Sequence, residues 1–125
     1  NLGEIDELIS KYEYFIKTYN DYFHLLHETN QENIINEKKK ILLSLLDEKI
    51  SILTDHGEMN KVYHAYLAKN QLDNSDPNTW IKMAEFNEDK QINIAIIYYE
   101  NVLKFDPDND YVIEKIEILK KKIDK

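Results

Sequence analysis

The chain has 125 residues, of which 42% are hydrophobic, and its formal net charge is −8. This length predicts a single helical domain over residues 1–125, large enough to have its own core. Cysteine is absent and every basic residue is a lysine. The first fact excludes disulfides, zinc–thiolate sites and thiol catalysis, and the second disfavours direct nucleic-acid recognition, because arginine is the best bidentate partner of guanine and phosphate.

Only two glycines and two prolines interrupt the chain, which is too few for the many turns of a sheet protein and favours an all-α fold. No apolar run approaches the roughly 20 residues of a membrane-spanning helix, so we expect no membrane insertion and favour an intracellular, soluble protein. The chain begins at Asn1 without a methionine. We therefore expect a fragment or a processed product.

A heptad seam predicts the first helix, and Leu8, Phe15 and Tyr22 widen its apolar stripe. The seam consists of Leu2, Ile5, Ile9, Tyr12, Ile16, Tyr19, Phe23 and Leu26. A capping box at Thr29–Glu32 predicts where the second helix starts, and Gly57 suits the left-handed residue after its end. Residues 1–57 are therefore predicted to form a long antiparallel hairpin.

The apolar face predicted for the second helix consists of Ile34, Ile35, Ile41, Leu42, Leu45, Leu46, Ile52 and Leu53. Four further helices are predicted over residues 58–125. Met59 lies on the apolar face of the third helix, and Asp76 and Pro77 cap and open a short fourth helix that ends near Asp89. A fifth helix ends at Asp106-Pro107, and the sixth has an apolar stripe through Ile123. The fold class is thus an all-α stack of six helices in antiparallel hairpins.

The stretch from Asp76 to Asn109 resembles a tetratricopeptide repeat, a 34-residue helical hairpin. The residues that carry the match are Trp80, Met83, Ala84, Ala95, Tyr99, Asp106 and Pro107. The resemblance implies close helix crossing at the two small residues, and it is weaker over residues 34–75. It makes the sixth helix a C-terminal cap. The same stretch is also similar to the half-a-TPR variant of RNA-processing scaffolds.

Both resemblances imply a non-catalytic scaffold or adaptor that binds a protein or peptide in a helical groove, and homo-oligomers are possible. The half-a-TPR alternative implies a component of an RNA-processing complex acting through protein partners. Chaperone-binding tetratricopeptide domains grip a terminal carboxylate with lysines and asparagines. The matching positions here hold Asn78, Lys82 and Glu85, and Glu85 would repel an acidic tail, so we expect no such clamp.

The best candidate metal site is a calcium loop with acidic residues at alternate positions. It would use Asp106, Asp108, Asp110, Glu114 and Glu117, but Tyr111 stands where the tight turn needs glycine. An acidic turn before a helix explains the pattern better, although a calcium-binding regulatory domain stays an alternative. His24 and His27 have metal-ligand spacing without a third ligand. We therefore expect no metal ion, no other cofactor and no enzymatic activity.

Tyrosines off the apolar stripes are the better candidates for contacts with a partner, because exposed aromatic side chains often anchor interfaces. These candidates are Tyr14, Tyr98 and Tyr111. The run of Lys38, Lys39 and Lys40 is interpreted as a solvated helix face.

Overall fold

A computed structural model describes the backbone of residues 1–26 and 29–124 and the side chains of residues 1–18 and 33–124. Six α-helices and no strand are found in these ranges, which confirms the all-α fold. The helices are α1 (Leu2–Leu26), α2 (Thr29–Asp55), α3 (Met59–Leu72), α4 (Pro77–Asn87), α5 (Ile92–Phe105) and α6 (Asp110–Ile123). No helix in this part of the chain is long and apolar enough to cross a membrane.

The structure divides into two compact units, residues 1–65 and residues 66–125. The boundary between Ala65 and Tyr66 falls inside α3, whereas the sequence places its subdivision after Gly57. Each unit has its own buried side chains, and α3 contributes Val62 and Ala65 to the buried set.

In the first unit, α1 and α2 form the predicted antiparallel hairpin. The Lys49 ammonium lies 2.6 Å from the Asp6 carboxylate, which joins the end of α2 to the start of α1. In the described part of the heptad seam, Ile5, Ile9 and Ile16 are buried while Leu2 and Tyr12 are half-buried. Residues on the facing side of α2 are buried against this seam. These buried residues are Ile5, Ile9, Ile16, Ile35, Leu42, Leu46, Ile50 and Leu53. The predicted seam side chains of Tyr19, Phe23 and Leu26, and the capping-box side chains, lie outside the described residues.

Several apolar residues that the sequence places on buried faces are exposed instead. Leu8 is 42% exposed, Ile34 37%, Ile41 40% and Met59 51%. A two-helix contact covers one narrow stripe of each helix, so the flank of a wider stripe stays open unless a further element covers it.

Gly57 has the predicted left-handed conformation, with φ of 72°. Its amide donates to the carbonyl of Thr54 at 3.0 Å, and the amide of Glu58 donates to that of Leu53 at 2.9 Å. These bonds satisfy carbonyls that the helix end leaves without partners, so the glycine ends α2 as the sequence predicts.

In the second unit, α4 packs on α5 and α5 packs on α6. Asp76 caps α4 as predicted: its carboxylate accepts hydrogen bonds from the amide of Asn78 at 3.0 Å and the hydroxyl of Thr79 at 3.2 Å, and Pro77 opens the helix. Asn109 caps α6, where its side chain accepts from the amide of Val112 at 3.1 Å. The core of this unit consists of Ala84, Ala95, Ile96, Tyr99, Val102, Val112, Ile116 and Leu119.

The C-terminal ends of α4 and α6 lie close to where the sequence predicts them. Helix α4 ends at Asn87, two residues before Asp89, and the Asn87 side chain donates to the carbonyl of Met83 at 2.9 Å. Ile123 is 47% exposed although it lies on the apolar stripe of α6. It is the last residue of that helix.

Candidate interaction surface

A network of hydrogen bonds joins the C-terminal half of α4 to the first turns of α6. The Tyr111 hydroxyl donates to the Glu85 carboxylate at 2.7 Å, and the Tyr99 hydroxyl donates to the Glu88 carboxylate at 2.6 Å. The Lys115 ammonium lies 3.1 Å from the same carboxylate of Glu88. Three helices are thereby tied together by side chains that are 11 to 27 residues apart in sequence.

Helical spacing explains why these side chains meet. Glu85 lies in the last turn of α4, and Glu88 is the residue that caps its C-terminus with helical backbone angles, so the two carboxylates lie on one side. Tyr111 and Lys115 are four residues apart on α6 and share one side of that helix. Tyr99 comes from α5 between them, fully buried, and its ring lies edge-on to that of Tyr111 at 6.5 Å between centroids. The Lys115 ammonium also lies 5.6 Å from the Tyr111 ring centroid.

The protonation states in this network are well defined. Burial raises the pKa of Tyr99 far above its usual range, and the hydrogen bond to Glu88 raises it further. Burial and the hydrogen bond to Glu85 also raise the pKa of Tyr111, while the hydrogen bond to Glu88 raises the pKa of Lys115. Both phenols are therefore neutral donors and the lysine is cationic at neutral pH. As donors to the two carboxylates, these three groups fix the positions of the side chains around them.

Part of this network is open to solvent. Tyr111 is 44% exposed, and Ile118, seven residues later and hence on the same side of α6, is also 44% exposed. We call the surface formed by Glu85, Glu88, Tyr111, Lys115 and Ile118 the α4–α6 face. It combines an apolar patch with carboxylates and an ammonium whose positions are set by hydrogen bonds.

The three tyrosines predicted to contact partners lie in different environments. Tyr111 belongs to the α4–α6 face. Tyr14 is 74% exposed on α1, in the first unit. Tyr98 is half-buried, packs on the core of the second unit and lies 5.6 Å from Trp80 between ring centroids, so less of its ring is accessible than its position off the stripe suggests.

The residues that carry the tetratricopeptide resemblance occupy structural positions. Ala84, Ala95 and Tyr99 are completely buried in one cluster, and Trp80 packs against it. The Trp80 indole donates to the carbonyl of Asn74 at 2.7 Å, which fixes the turn before α4. Pro107 is exposed in the turn between α5 and α6.

The candidate calcium ligands do not surround a common point. Helix α6 begins at Asp110, so Glu114 and Glu117 follow on a regular helix. The Asp106 carboxylate accepts a hydrogen bond from the side-chain amide of Asn109 at 3.0 Å. Within the described residues, no group of three or more His, Asp or Glu side chains is arranged to hold a metal ion.

The histidine pair proposed from its spacing cannot be placed. His27 and the side chain of His24 lie outside the described residues. His56 is exposed, and its ring nitrogen Nδ1 lies 2.8 Å from the carbonyl of Ile52 at the end of α2.

Sequence reasoning identified Tyr111 and considered Glu85, but it missed Glu88 and Lys115 as partners of the tyrosines. One sequence signal pointed to these partners. Charged and aromatic residues spaced three or four apart share one side of a helix, and a stack of three helices can bring two such sides together. Identifying the pairs required the relative register of α4, α5 and α6.

No protein-family model matches this chain, and no curated protein matches its sequence.

Proposed function

We propose that this chain is a protein-interaction domain, in which α4 and α5 form a tetratricopeptide-type helix pair with α6 as its cap, and which binds a peptide segment of a partner at the α4–α6 face. The observation that carries this proposal is the exposure of Tyr111 and Ile118 beside a network of fixed polar groups. Aromatic anchors held in place lose little conformational entropy on binding, which is a property of interface hot spots.

The chemistry of the face defines the kind of peptide that it fits. Tyr111 and Ile118 offer apolar area for one hydrophobic anchor, and Glu85 and Glu88 have lone pairs beyond those used within the chain. Lys82, 3.6 Å from Glu85, and Lys115, 3.1 Å from Glu88, balance the formal charge of the two carboxylates, so the carboxylates act mainly as hydrogen-bond acceptors for a donor on the peptide. We expect a peptide with a hydrophobic residue next to a lysine or arginine, and no binding of peptides that end in an acidic tail.

The test is a selection of peptides from a random display library on the whole chain, followed by titration of synthetic selected peptides by fluorescence anisotropy. Tyr111→Ser is expected to weaken binding at least tenfold, because truncation of an aromatic anchor commonly costs 2 kcal/mol or more, that is about 30-fold. The matched control is Tyr14→Ser, which removes an exposed tyrosine from α1 and is expected to leave the affinity unchanged.

Two results would contradict the proposal. One is that no peptide is enriched over a selection on an unrelated helical protein. The other is that selected peptides bind the Tyr111→Ser protein as tightly as the unaltered chain. A synthetic peptide ending in Glu-Glu-Val-Asp serves as the specificity control, and its binding at this face would contradict the predicted preference for a basic peptide.

A further inference from the structure

A second surface, in the first unit, has apolar and charged residues arranged in a pattern that is complementary to itself. It lies on the flank of the α1–α2 hairpin and centres on a stripe along α2 with spacings of four and three residues. The stripe consists of Ile34, Lys38, Ile41, Leu45, Glu48 and Ile52. Such spacing keeps all six side chains on one side of α2, along a stripe about 27 Å in length.

The stripe is accessible at both ends. Ile34 and Ile41 are 37% and 40% exposed, Leu45 and Ile52 are half-buried, and Glu48 is exposed. At the far end of the hairpin, α1 and α2 enclose an open groove of about 530 Å³. The groove is lined by Asn1, Glu4, Ile5, Leu8, Leu45, Glu48, Ser51 and Ile52.

The residue types of the stripe are symmetric about position 43, which is the midpoint of the stripe along α2. Ile34 and Ile52 are equidistant from that centre, and so are Ile41 and Leu45. Lys38 and Glu48 form the third such pair and have opposite charges. An antiparallel copy of α2 therefore places apolar residues against apolar residues and each lysine against a glutamate.

Contacts with α1 hold Lys38 on this flank, and Glu48 lines the groove. The Lys38 ammonium lies 5.6 Å and 5.5 Å from the ring centroids of Tyr12 and Phe15 on α1. Within the described residues, neither Lys38 nor Glu48 forms an ion pair. Glu48 lies on the groove wall with Glu4, whose carboxylate is 3.6 Å from the terminal ammonium of Asn1. The basic end of one hairpin thus matches the acidic end of a second.

The α1 side of the flank fits the same symmetry. The Asp6–Lys49 ion pair and the contact of Lys38 with Phe15 set the middle of α1 beside the middle of α2. Leu8 and Phe15 lie on opposite sides of this midpoint along α1. A two-fold axis through the midpoint therefore brings Leu8 of one copy close to Phe15 of the other copy. Twofold interfaces are self-complementary by necessity, and closed dimers are the commonest symmetric assemblies.

We propose that two copies of this chain associate through this flank as an antiparallel four-helix dimer, in which Ile34 and Ile41 of each copy fill the groove of the other. Lys38 of each copy pairs with Glu48 of the other across the interface. The residues of this interface lie in the first unit and are separate from those of the α4–α6 face.

The experiment is sedimentation equilibrium of the whole chain across the micromolar range, with charge variants on the stripe. We expect a concentration-dependent dimer. Lys38→Glu and Glu48→Lys are each expected to raise the dimer dissociation constant about tenfold, because each creates two like-charge contacts per dimer. The double variant Lys38→Glu/Glu48→Lys restores opposite charges and is expected to restore dimerisation.

Lys40→Glu is the matched control, because it makes the same charge change at an exposed α2 position outside the stripe. Circular dichroism confirms that each variant keeps its helical content. The proposal is overturned if the chain stays monomeric over the whole range, if Lys40→Glu weakens the dimer as much as Lys38→Glu, or if the double variant is weaker than both single variants. The antiparallel pairing is supported if Glu48→Lys alone weakens the dimer and the double variant dimerises as tightly as the unaltered chain.

Discussion

Ala84 and Ala95 show how a small residue sets the distance between helices. Both have no exposed surface and lie in the cluster where α4 packs on α5. Short side chains at a crossing allow two backbones to approach, and a longer side chain at either position has no space. The sequence analysis identified these residues through the family resemblance, and the burial gives them a physical role that holds whatever the family is.

We predict that Ala84→Leu lowers the free energy of unfolding by about 1–3 kcal/mol, because the added atoms overpack a closed core. Chemical denaturation followed by circular dichroism measures this change. Asn93→Leu introduces the same side chain at an exposed position of α5 and is expected to change stability by less than about 0.5 kcal/mol. Equal effects of the two substitutions would mean that Ala84 is not a packing constraint.

Tyr99 makes the second unit sensitive to alkaline pH. Burial, with Glu88 and Tyr111 nearby, raises its pKa above the value of about 10 expected in the unfolded chain, although Lys115 also lies in the network. A pKa that is raised on folding gives stabilisation that is complete below the unfolded pKa and is lost as pH rises beyond it. We therefore predict a falling free energy of unfolding above about pH 10.

Tyr99→Phe tests this interpretation. At neutral pH it costs about 1–2 kcal/mol through loss of the hydrogen bond to Glu88, and it makes stability less dependent on pH above about 10. Denaturation curves at a series of alkaline pH values give the slope. Tyr14→Phe, at a position that is 74% exposed, is expected to keep the steeper slope. A slope that is identical in Tyr99→Phe and the unaltered chain contradicts the role of this phenol.

At the scale of the helices, local signals were the best guide. Asp76, Pro77 and Gly57 act within four residues of their own position, so sequence alone predicts the helix ends that they create. Contacts between helices were harder to predict. Glu88 meets Tyr99 across 11 residues and Lys115 across 27, and those distances depend on how three helices slide and rotate against one another. The exposed flank of the α1–α2 hairpin was missed for the same reason, since periodicity gives the width of a stripe but not what covers it.

The cap of α4 provides a prediction at this scale. Asp76→Ala removes acceptors for the Asn78 amide and the Thr79 hydroxyl, and we expect it to destabilise the protein by about 1 kcal/mol. Asp76→Asn keeps a side-chain oxygen and is expected to retain most of the stability. Thermal unfolding compares the three proteins. If Asn and Ala are equally destabilising, then the charge and not the hydrogen bond is what stabilises the helix start.

At the scale of the whole chain, the two units differ in how they are built. The second has a three-helix core of aliphatic residues and Tyr99 with an added polar network. The first consists of the α1–α2 hairpin, which has an open flank, and the first half of α3. Length predicts a single domain, and α3 runs continuously through the boundary at residues 65 and 66. Division into compact units predicts that each unit opens separately, because cooperative unfolding follows the contacts within a unit.

Native-state hydrogen exchange can distinguish one cooperative domain from two. We predict that Ala84→Leu lowers amide protection in α4, α5 and α6 and leaves that of α1 and α2 unchanged, since its overpacking acts within residues 66–125. Conversely, Leu46→Ala in the hairpin core is expected to lower protection in α1 and α2 alone, by an amount that reflects the cavity it creates. If either substitution lowers protection equally in all helices, the chain is one cooperative domain, as its length alone suggests. If the effects stay separate, α3 is a connection between two units that open independently, and changes in the hairpin flank leave the stability of the α4–α6 face unaltered.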